Sequence, residues 1–487
     1  MKIVKRIADP IHGTIGLTEL ETRVIDTRVF QRLRNVKHLG LAHLVFPAAD
    51  FSRFAHSIGV CHVTGRLLDA LKTAGTQISD EDLQKYRLAG LLHDVGHYPL
   101  SHALEKPVKD HLKDRQAERM LEPTGDENQL GLIANASNLE MSHEDVGRII
   151  LEEDQELKQV LDEASILPIS IADIFTRTKQ PLIDSDRVGV DPLVNLVSSD
   201  LDADRIDYLL RSSGSTGLPY GAVDLDYILS QLALDRNRRV CLHERALRTV
   251  DHLLLARYFD TQQVAFHKTV AILEELAKDV VSQLLRIGAL EIDENWIREA
   301  IRNRTWAQFD DAWLMRLLQQ TYDGEQIDDL LRMKIAALLE RRPPKLVAME
   351  EKFRNLTQTG GVREFRRLEE EYRTKSEGAA NHFNLDRDLF YVWTLRGFPL
   401  TKISSAIPVD ELDQEDREQV EKWEQSVRIL ARGNGDQSSK TIMQMSGSLM
   451  NILSDHALDS VRLYLLEPPD RPGIATEVRN WLRERLT

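Results

Sequence analysis

Three histidines and one aspartate crowd the ten residues from His93 to His102 in the run Leu91-Leu92-His93-Asp94-Val95-Gly96-His97-Tyr98-Pro99-Leu100-Ser101-His102, framed by apolar side chains. Polar groups cost free energy to bury unless they are paired, so a run of this kind needs partners. Helical spacing sets His93 and His97 on one face, with Asp94 about 100° round and still within reach of an ion between helices. An ion held by imidazole and carboxylate, with room for water, needs about four protein donors, so the rest must come from elsewhere in the chain. Upstream, Ser52-Arg53-Phe54-Ala55-His56-Ser57-Ile58-Gly59-Val60 places one histidine in a helical, apolar stretch. Downstream, Asp200-Leu201-Asp202-Ala203-Asp204-Arg205-Ile206-Asp207-Tyr208 offers several carboxylates. His56, His93, Asp94 and Asp204 would complete a four-ligand site.

Each piece has a plainer reading. A single histidine among apolar neighbours is usually a hydrogen-bonded core residue, and an aspartate-rich stretch is usually a helix start whose acids suit the dipole. As a calcium loop, the stretch from Asp200 lacks the glycine and the terminal glutamate. What favours a metal centre is the ordered series of His, then His-Asp, then Asp in helical sequence. Only Cys61 and Cys241 occur, too few for a thiolate site or a disulfide framework, so any metal is held by histidine and carboxylate.

The elements that must position these residues are mostly helices. Up to about residue 340 apolar residues recur every three or four positions, which predicts an all-helical core, with helices over Glu21 to Leu39, Arg87 to His97, Leu201 to Ser212 and a long run from Glu244 to Ile287. Arg341-Arg342-Pro343-Pro344 should stop a helix, and a domain boundary is placed at 345, giving a core of 1–345 and a smaller lobe of 346–487. In that lobe Leu389 to Trp393, Ser426 to Leu430 and Ser460 to Leu466 read as strands and Val362 to Thr374 as a helix, an α+β arrangement, while Asn434 to Lys440 reads as a loop. With 487 residues, 42% hydrophobic and 29% charged, the chain has ample material for a core. No window approaches the run of about 20 apolar residues that a membrane span needs, and no secretory pattern follows Met1. The expected compartment is the cytoplasm. A net charge of −15 disfavours nucleic acid as a partner and asks for a locally basic pocket if the ligand is a phosphate.

Several motifs together resemble the HD-domain deoxynucleoside triphosphate triphosphohydrolases, in particular the type that pairs a SAM with an HD domain, here without the SAM domain. They are Asp9-Pro10-Ile11-His12-Gly13, Ile25 to Arg34, Val45-Phe46-Pro47, Ser52 to Val60, His93 to His102 and Asp204-Arg205-Ile206-Asp207-Tyr208. The likeness is dense from residue 5 to about 230, thins to a helix around Arg257 to Lys268 and the Arg341-Arg342 region, and does not extend through the last hundred residues. It implies a mostly α fold with an all-helical HD core, a divalent metal (manganese, iron or magnesium, or zinc) on His56, His93, Asp94 and Asp204, and release of a deoxynucleoside and intact triphosphate from a deoxynucleoside triphosphate (dNTP). His97, His102 and His143 match the active-site histidines. A 5′-alkoxide leaving group needs a proton that an imidazole can donate near neutrality, and His102 is assigned that role.

By the same resemblance Arg53, Arg205, Arg257 and Lys268 supply the basic pocket, Tyr208 packs on the sugar and excludes a 2′-hydroxyl, and Leu39 and Asp202 line the pocket. His38 stands where the family has a glutamine, and Ala265-Phe266 replaces a tyrosine-glutamine pair near base and sugar, which leaves the preferred base open. Asp26, Gln31 and Arg34 match a regulatory guanine-nucleotide site, although Ala8 replaces an asparagine next to it and a capped helix explains these residues equally well. The implied assembly is a homo-oligomer, a dimer or tetramer under nucleotide control, with the C-terminal lobe a candidate surface for a protein partner and phage defence a candidate role. Two other classes stand beside this one. They are an HD phosphohydrolase of another nucleotide, either a nucleotidase or a signalling-nucleotide phosphodiesterase, and a non-catalytic nucleotide sensor.

Overall fold

Asp9-Pro10-Ile11-His12-Gly13 folds the N-terminus back on itself, joining strand β1 (Ile3–Asp9) to antiparallel strand β2 (Gly13–Thr18), with Gly13 at φ 71° closing the turn. The computed structural model describes residues 1–121, 140–176, 192–197, 199–325, 327–357, 361–399, 425–431 and 438–486. The hairpin departs from the helix-only expectation for this half of the chain. Only Ile15 and Leu17 of β2 are deeply buried apolar residues, too few to leave an alternating pattern in the sequence.

Helix α1 (Glu19–Ile25) opens on a capping box between Thr18 and Glu21. It ends well short of the predicted Leu39, because Thr27 turns extended and spends its hydroxyl on the Val24 carbonyl; two short turns, Arg28–Gln31 and Arg32–Asn35, follow. The central helix α2 (Arg53–Thr73), capped by Ser52, is buried nearly all round, and α3 (Asp80–Leu92), capped by Ser79 and started by three acids, packs on it. Glycines allow the close approach: a Cβ on Gly65 would stand 2.4 Å from Arg87, and one on Gly90 would stand 2.7 Å from Thr64. Helices α4 (His102–Leu121) and α5 (His143–Glu153) follow, the latter opened by a capping box between Ser142 and Asp145. Helix α6 (Ala203–Thr216) is capped by Asp202 and stopped by Gly217 at φ 74°. After β3 (Leu232–Leu234) and β4 (Val240–His243), the predicted continuous run breaks into α7 (Leu247–Asp260), a π turn over Thr261–Ala265 and α8 (Lys268–Arg286), which His267 caps.

Beyond α9 (Asp329–Leu339) the prolines lead into β5 (Lys345–Asn355), a strand whose charged centre hid it from pattern reading. Then come α10 (Gly361–Phe383), β6 (Phe390–Pro399), β7 (Arg428–Leu430), β8 (Ser439–Thr441), β9 (His456–Leu465) and α11 (Ile474–Leu486). Buried β9 lies between β5 and β6 in an antiparallel sheet, the expected α+β character of this end. β7 pairs in parallel with β4 and antiparallel with β8, so segments on both sides of residue 345 share the sheet β3-β4-β7-β8. Of the expected loop Asn434 to Lys440, residues 434–437 lie outside the described residues and Lys440 is in β8. One apolar core runs from Ile15 to Leu482. Among the described residues no helix is long and apolar enough to cross a membrane.

Candidate metal centre

Helix α3 stops at Leu92, so His93 is its C-cap and Asp94 begins a turn. The expected shared helical face of His93 and His97 is therefore not formed: Val95 N–H bonds to Leu92 O (3.1 Å) and His97 N–H to Asp94 O (3.1 Å), as turn bonds. The turn aims the ring differently. His93 donates Nδ1–H to the Gly90 carbonyl at 2.8 Å, which leaves its buried Nε2 without a hydrogen-bond partner. His56, from α2, has Nδ1 on Asp207 Oδ2 at 2.7 Å, so it too presents Nε2 inward. That Nε2 lies 3.0 Å from Asp204 and 3.8 Å from Asp94, while the Nε2 of His93 lies 3.4 Å from Asp94 and 3.8 Å from Asp204. Donors about 2.0–2.2 Å from one cation stand roughly 3–3.5 Å apart; ligand atoms of His56, His93 and Asp204 gather within 4.8 Å of one another, a set that could hold a divalent ion, with Asp94 beside both histidines. Both imidazole tautomers are fixed from behind by an acceptor, as metal-binding histidines require. Burial pulls the His56 pKa down, but hydrogen bonds to Asp204 and Asp207 raise it to about 9, so this corner demands positive charge.

Asp207 is buried and was quoted in the sequence only as part of a motif. It accepts from His56, from His12 Nε2 (2.7 Å) and from Arg211 (2.9 and 3.0 Å), and Arg211 reaches on to Asp9 (2.9 Å). The N-terminal hairpin thereby braces the metal corner. Gly59 makes the space, since a Cβ there would stand 1.9 Å from Asp207 Oδ1. Asp94 is anchored by Arg53 Nη1 at 2.5 Å, and Arg53 also donates to Ser101 Oγ at 2.8 and 3.1 Å. Burial raises the Asp94 pKa, yet Arg53, His93 and His97 hold it well below the ordinary range. Leu100 and Ser101 sit at φ 51° and 55°, backbone strain placed directly between His97 and His102 and held by Leu100 N–H on Asp311 (2.8 Å).

The three remaining histidines converge beside this corner. His97 stacks on His143 with centroids 3.8 Å apart and 16° between the planes, and its Nε2 is 3.2 Å from Asp94. Gly96 permits that stack, because a Cβ would meet the His143 carbonyl at 2.1 Å. His102, at the start of α4 and 70% exposed, has Nδ1 3.1 Å from Glu105, and His143 Nδ1 is 3.2 Å from the same carboxylate. Burial raises the Glu105 pKa, but His102 and His143 hold it far below the usual range; burial lowers that of His143, and Glu105 more than restores it. Glu105 escaped the sequence reading, although its place three residues after His102 on one helix face was a usable signal.

A cavity of about 510 Å³ opens over the corner, and His38, Leu39, Arg53, His93, Asp94, His97, His102, His143, Asp204 and Tyr208 line it together. His38 lies 4.2 Å from His56, ring to ring, with Nδ1 buried and unpartnered. Four expected pocket residues, Asp202, Arg205, Arg257 and Lys268, do not line this cavity. Asp202 spends its oxygens on the backbone N–H groups of Ser199 (2.6 Å) and Arg205 (2.7 Å) as a helix cap. Arg205 folds onto Asp202 at 3.2 Å, and Arg257 pairs with Asp200 at 2.6 Å. Asp26, Gln31 and Arg34 stand apart from it: Lys5 is 3.5 Å from Asp26, Gln31 accepts from Arg34 at 2.7 Å, and Arg34 covers the Phe54 ring at 3.6 Å.

Residues 53–177 match the HD domain family model, and Asp204 lies beyond the matched stretch. Among individual proteins, the chain is 30% identical over 295 residues to the uncharacterized protein YwfO of Bacillus subtilis, covering 60% of this chain and 58% of that one. It is 49% identical over 104 residues to deoxynucleoside triphosphate triphosphohydrolase SAMHD1 of Homo sapiens, covering 21% of this chain and 17% of that one. Each match spans less than two thirds of the relative's length. The fold is shared with a solved phosphohydrolase structure from Bacteroides thetaiotaomicron, with a TM-score of 0.64, 20% identity and coverage of 95% of this chain and 100% of that chain.

Proposed function

We propose that this protein is an HD-domain phosphohydrolase that cleaves deoxynucleoside triphosphates to deoxynucleoside and triphosphate, with a divalent cation on His56, His93, Asp94 and Asp204. The observation that carries the dNTP reading is Tyr208. It lines the cavity one helical turn beyond Asp204, its ring stacked toward His38 at 6.2 Å, where it would pack on a deoxyribose and exclude a 2′-hydroxyl. The stretch of high identity to a protein described as a deoxynucleoside triphosphate triphosphohydrolase supports the same substrate. A cation bound at the corner would polarise the phosphoryl group and lower the pKa of a water. Arg53 meets phosphate oxygens while keeping Asp94 ionised. His102, with Nδ1 held by Glu105 and its ring open to the cavity, donates the proton that the 5′-oxygen takes as it leaves. His97 and His143, stacked and tied to Asp94 and Glu105, position the phosphate and the attacking water. On this reading the enzyme controls dNTP pools, as a homo-oligomer.

One observation favours a second reading, an HD phosphohydrolase of a nucleotide with fewer phosphates. Arg205 and Arg257 are both committed to aspartates, and Arg53 is the one arginine lining the cavity among the described residues. The test is turnover by purified protein with manganese or magnesium, each dNTP singly and in mixtures, products resolved by ion-exchange and reverse-phase chromatography, with Asp94→Ala as control. Deoxynucleoside plus intact triphosphate, lost in the control, is expected; monophosphate or inorganic phosphate would replace the first reading by the second.

A further inference from the structure

Three acidic side chains in the cavity wall, Glu144, Asp260 and Glu274, have no part in the chemistry above, and Glu274 differs from the other two. Of the carboxylates lining the cavity, Asp94 and Asp204 belong to the metal corner, Glu144 lies 3.4 Å from the Ser142 hydroxyl, and Asp260 accepts from Tyr220 (2.5 Å) and Ser212 (2.6 Å). Glu274, on α8, has no hydrogen-bond or ion-pair partner among the described residues, and Lys278, one turn on, is spent on Glu275 at 2.7 Å. Gly40 keeps the wall open in front of it: a Cβ on Gly40 would stand 3.7 Å from Glu274 Oε1, and φ of 51° reserves the position for glycine.

The surroundings say what such a group can bind. Leu39, Ala42, Val264 and Val270 form an apolar cluster that also lines the cavity, a surface suited to the flat face of a heterocycle. Val270, one turn before Glu274 on α8, belongs to that cluster, so Glu274 borders the apolar part of the cavity, where the uncharged end of the substrate would lie. Burial pushes the carboxyl up to about 7, so it both accepts and donates near neutrality.

We propose that Glu274 reads the amine-bearing edge of the nucleobase, so that the site takes adenine, cytosine and guanine deoxynucleotides in preference to thymine. The proposal rests on the dNTP reading of the site. The exocyclic amines of adenine, cytosine and guanine donate to a carboxylate oxygen, and the protonated acid returns a hydrogen bond to a ring nitrogen of adenine or cytosine. Thymine offers no amine and sets two carbonyl oxygens around its single N–H, which the ionised carboxylate repels; only the protonated acid, the minority form above about pH 7, pairs with it, so the discrimination is read above that pH.

The experiment is kcat/KM for each of the four dNTPs singly and as equimolar competing mixtures, on the wild type, Glu274→Gln and Glu274→Leu, with calorimetric binding of non-hydrolysable α,β-imido dNTPs and thermal melting of each variant. Base discrimination of this kind is commonly worth tenfold or more, so dTTP is expected to be the poorest substrate by about tenfold. Glu274→Gln, whose amide pairs with thymine as well as with the others, is expected to bring dTTP to within about twofold of the rest in both turnover and binding. Glu274→Leu is expected to weaken the three amine-bearing nucleotides and leave dTTP unchanged. A wild type that hydrolyses dNTPs with a base order that neither variant alters, in folded protein, overturns the role of Glu274 alone. A wild type that neither binds nor hydrolyses any dNTP overturns the substrate reading, and this inference with it.

Discussion

His56 is oriented toward the candidate metal corner by a residue that is not itself one of the candidate ligands. Asp207 fixes its Nδ1, is itself fixed by His12 and Arg211, and occupies space that a single methyl on Gly59 would fill. Backing carboxylates of this kind usually matter about 10–100-fold to metal affinity. Asp207→Asn is therefore expected to weaken manganese binding by that factor, read by metal titration with elemental analysis, while far-UV circular dichroism stays native. Full affinity in a folded variant would mean that His56 is oriented by something else.

At the scale of elements, the site is made by two helices brought unusually close. Gly65 and Gly90 let α3 press on α2, so that His56 and His93 come within 5.3 Å, ring to ring. Helix α1 is locked to the same pair by Glu21, which accepts from Arg87 Nε (2.6 Å) and Nη2 (2.8 Å), from Gln84 and from the Thr18 amide. Burial raises the Glu21 pKa, but these donors, Arg87 foremost, hold it below the ordinary 4.5. A depressed carboxylate contributes stability that is present above its unfolded pKa and lost as pH falls through the folded one. The urea midpoint is thus expected to fall once the pH drops below about 4.5. Glu21→Gln should flatten that dependence and cost about 3–5 kcal/mol at neutral pH by leaving buried Arg87 uncompensated. An unchanged acid limb would remove Glu21 from the account.

For the whole molecule, the sheet β3-β4-β7-β8 ties the C-terminal part to the helical half, and Asp200 N–H on the Gln425 carbonyl (2.8 Å) links that part to the loop just before α6 and Asp204. The C-terminal part is thus joined to the neighbourhood of the site by backbone hydrogen bonds. Asp26 and Arg34 stand at the molecular surface, next to Lys5 of the hairpin. If they form part of a nucleotide site that assembles an oligomer, Arg34→Ala should abolish any rise in sedimentation coefficient produced by mixed nucleotides. Single-dNTP turnover at the separate catalytic cavity should be retained. An assembly and activity profile identical to the wild type would end that role.

The candidate ligands His56, His93, Asp94 and Asp204 stand out in the sequence by residue type and order regardless of the local backbone, and the fold brings them to one corner. The mostly helical character followed from apolar periodicity, and the strands β6, β7 and β9 from short β-branched and aromatic runs. Periodicity could not show where a helix stops. His93 caps α3 because the Gly90 carbonyl takes its ring, Thr27 ends α1 with its hydroxyl, and the π turn after Asp260 splits the long run, each a choice settled by hydrogen bonds local in space. Sequence likewise named Arg205, Arg257 and Asp202 as pocket candidates, but an arginine goes to the nearest buried carboxylate and an N-cap aspartate to backbone amides. The backing of Asp207 by His12 and the sharing of Glu105 by His102 and His143 join residues distant in sequence or separated by a turn, and Glu274 stays bare because packing brings it no partner among the described residues. Residue chemistry is written along the chain; which acid meets which base is decided only when helices pack, because a buried charge takes the partner that packing brings within reach.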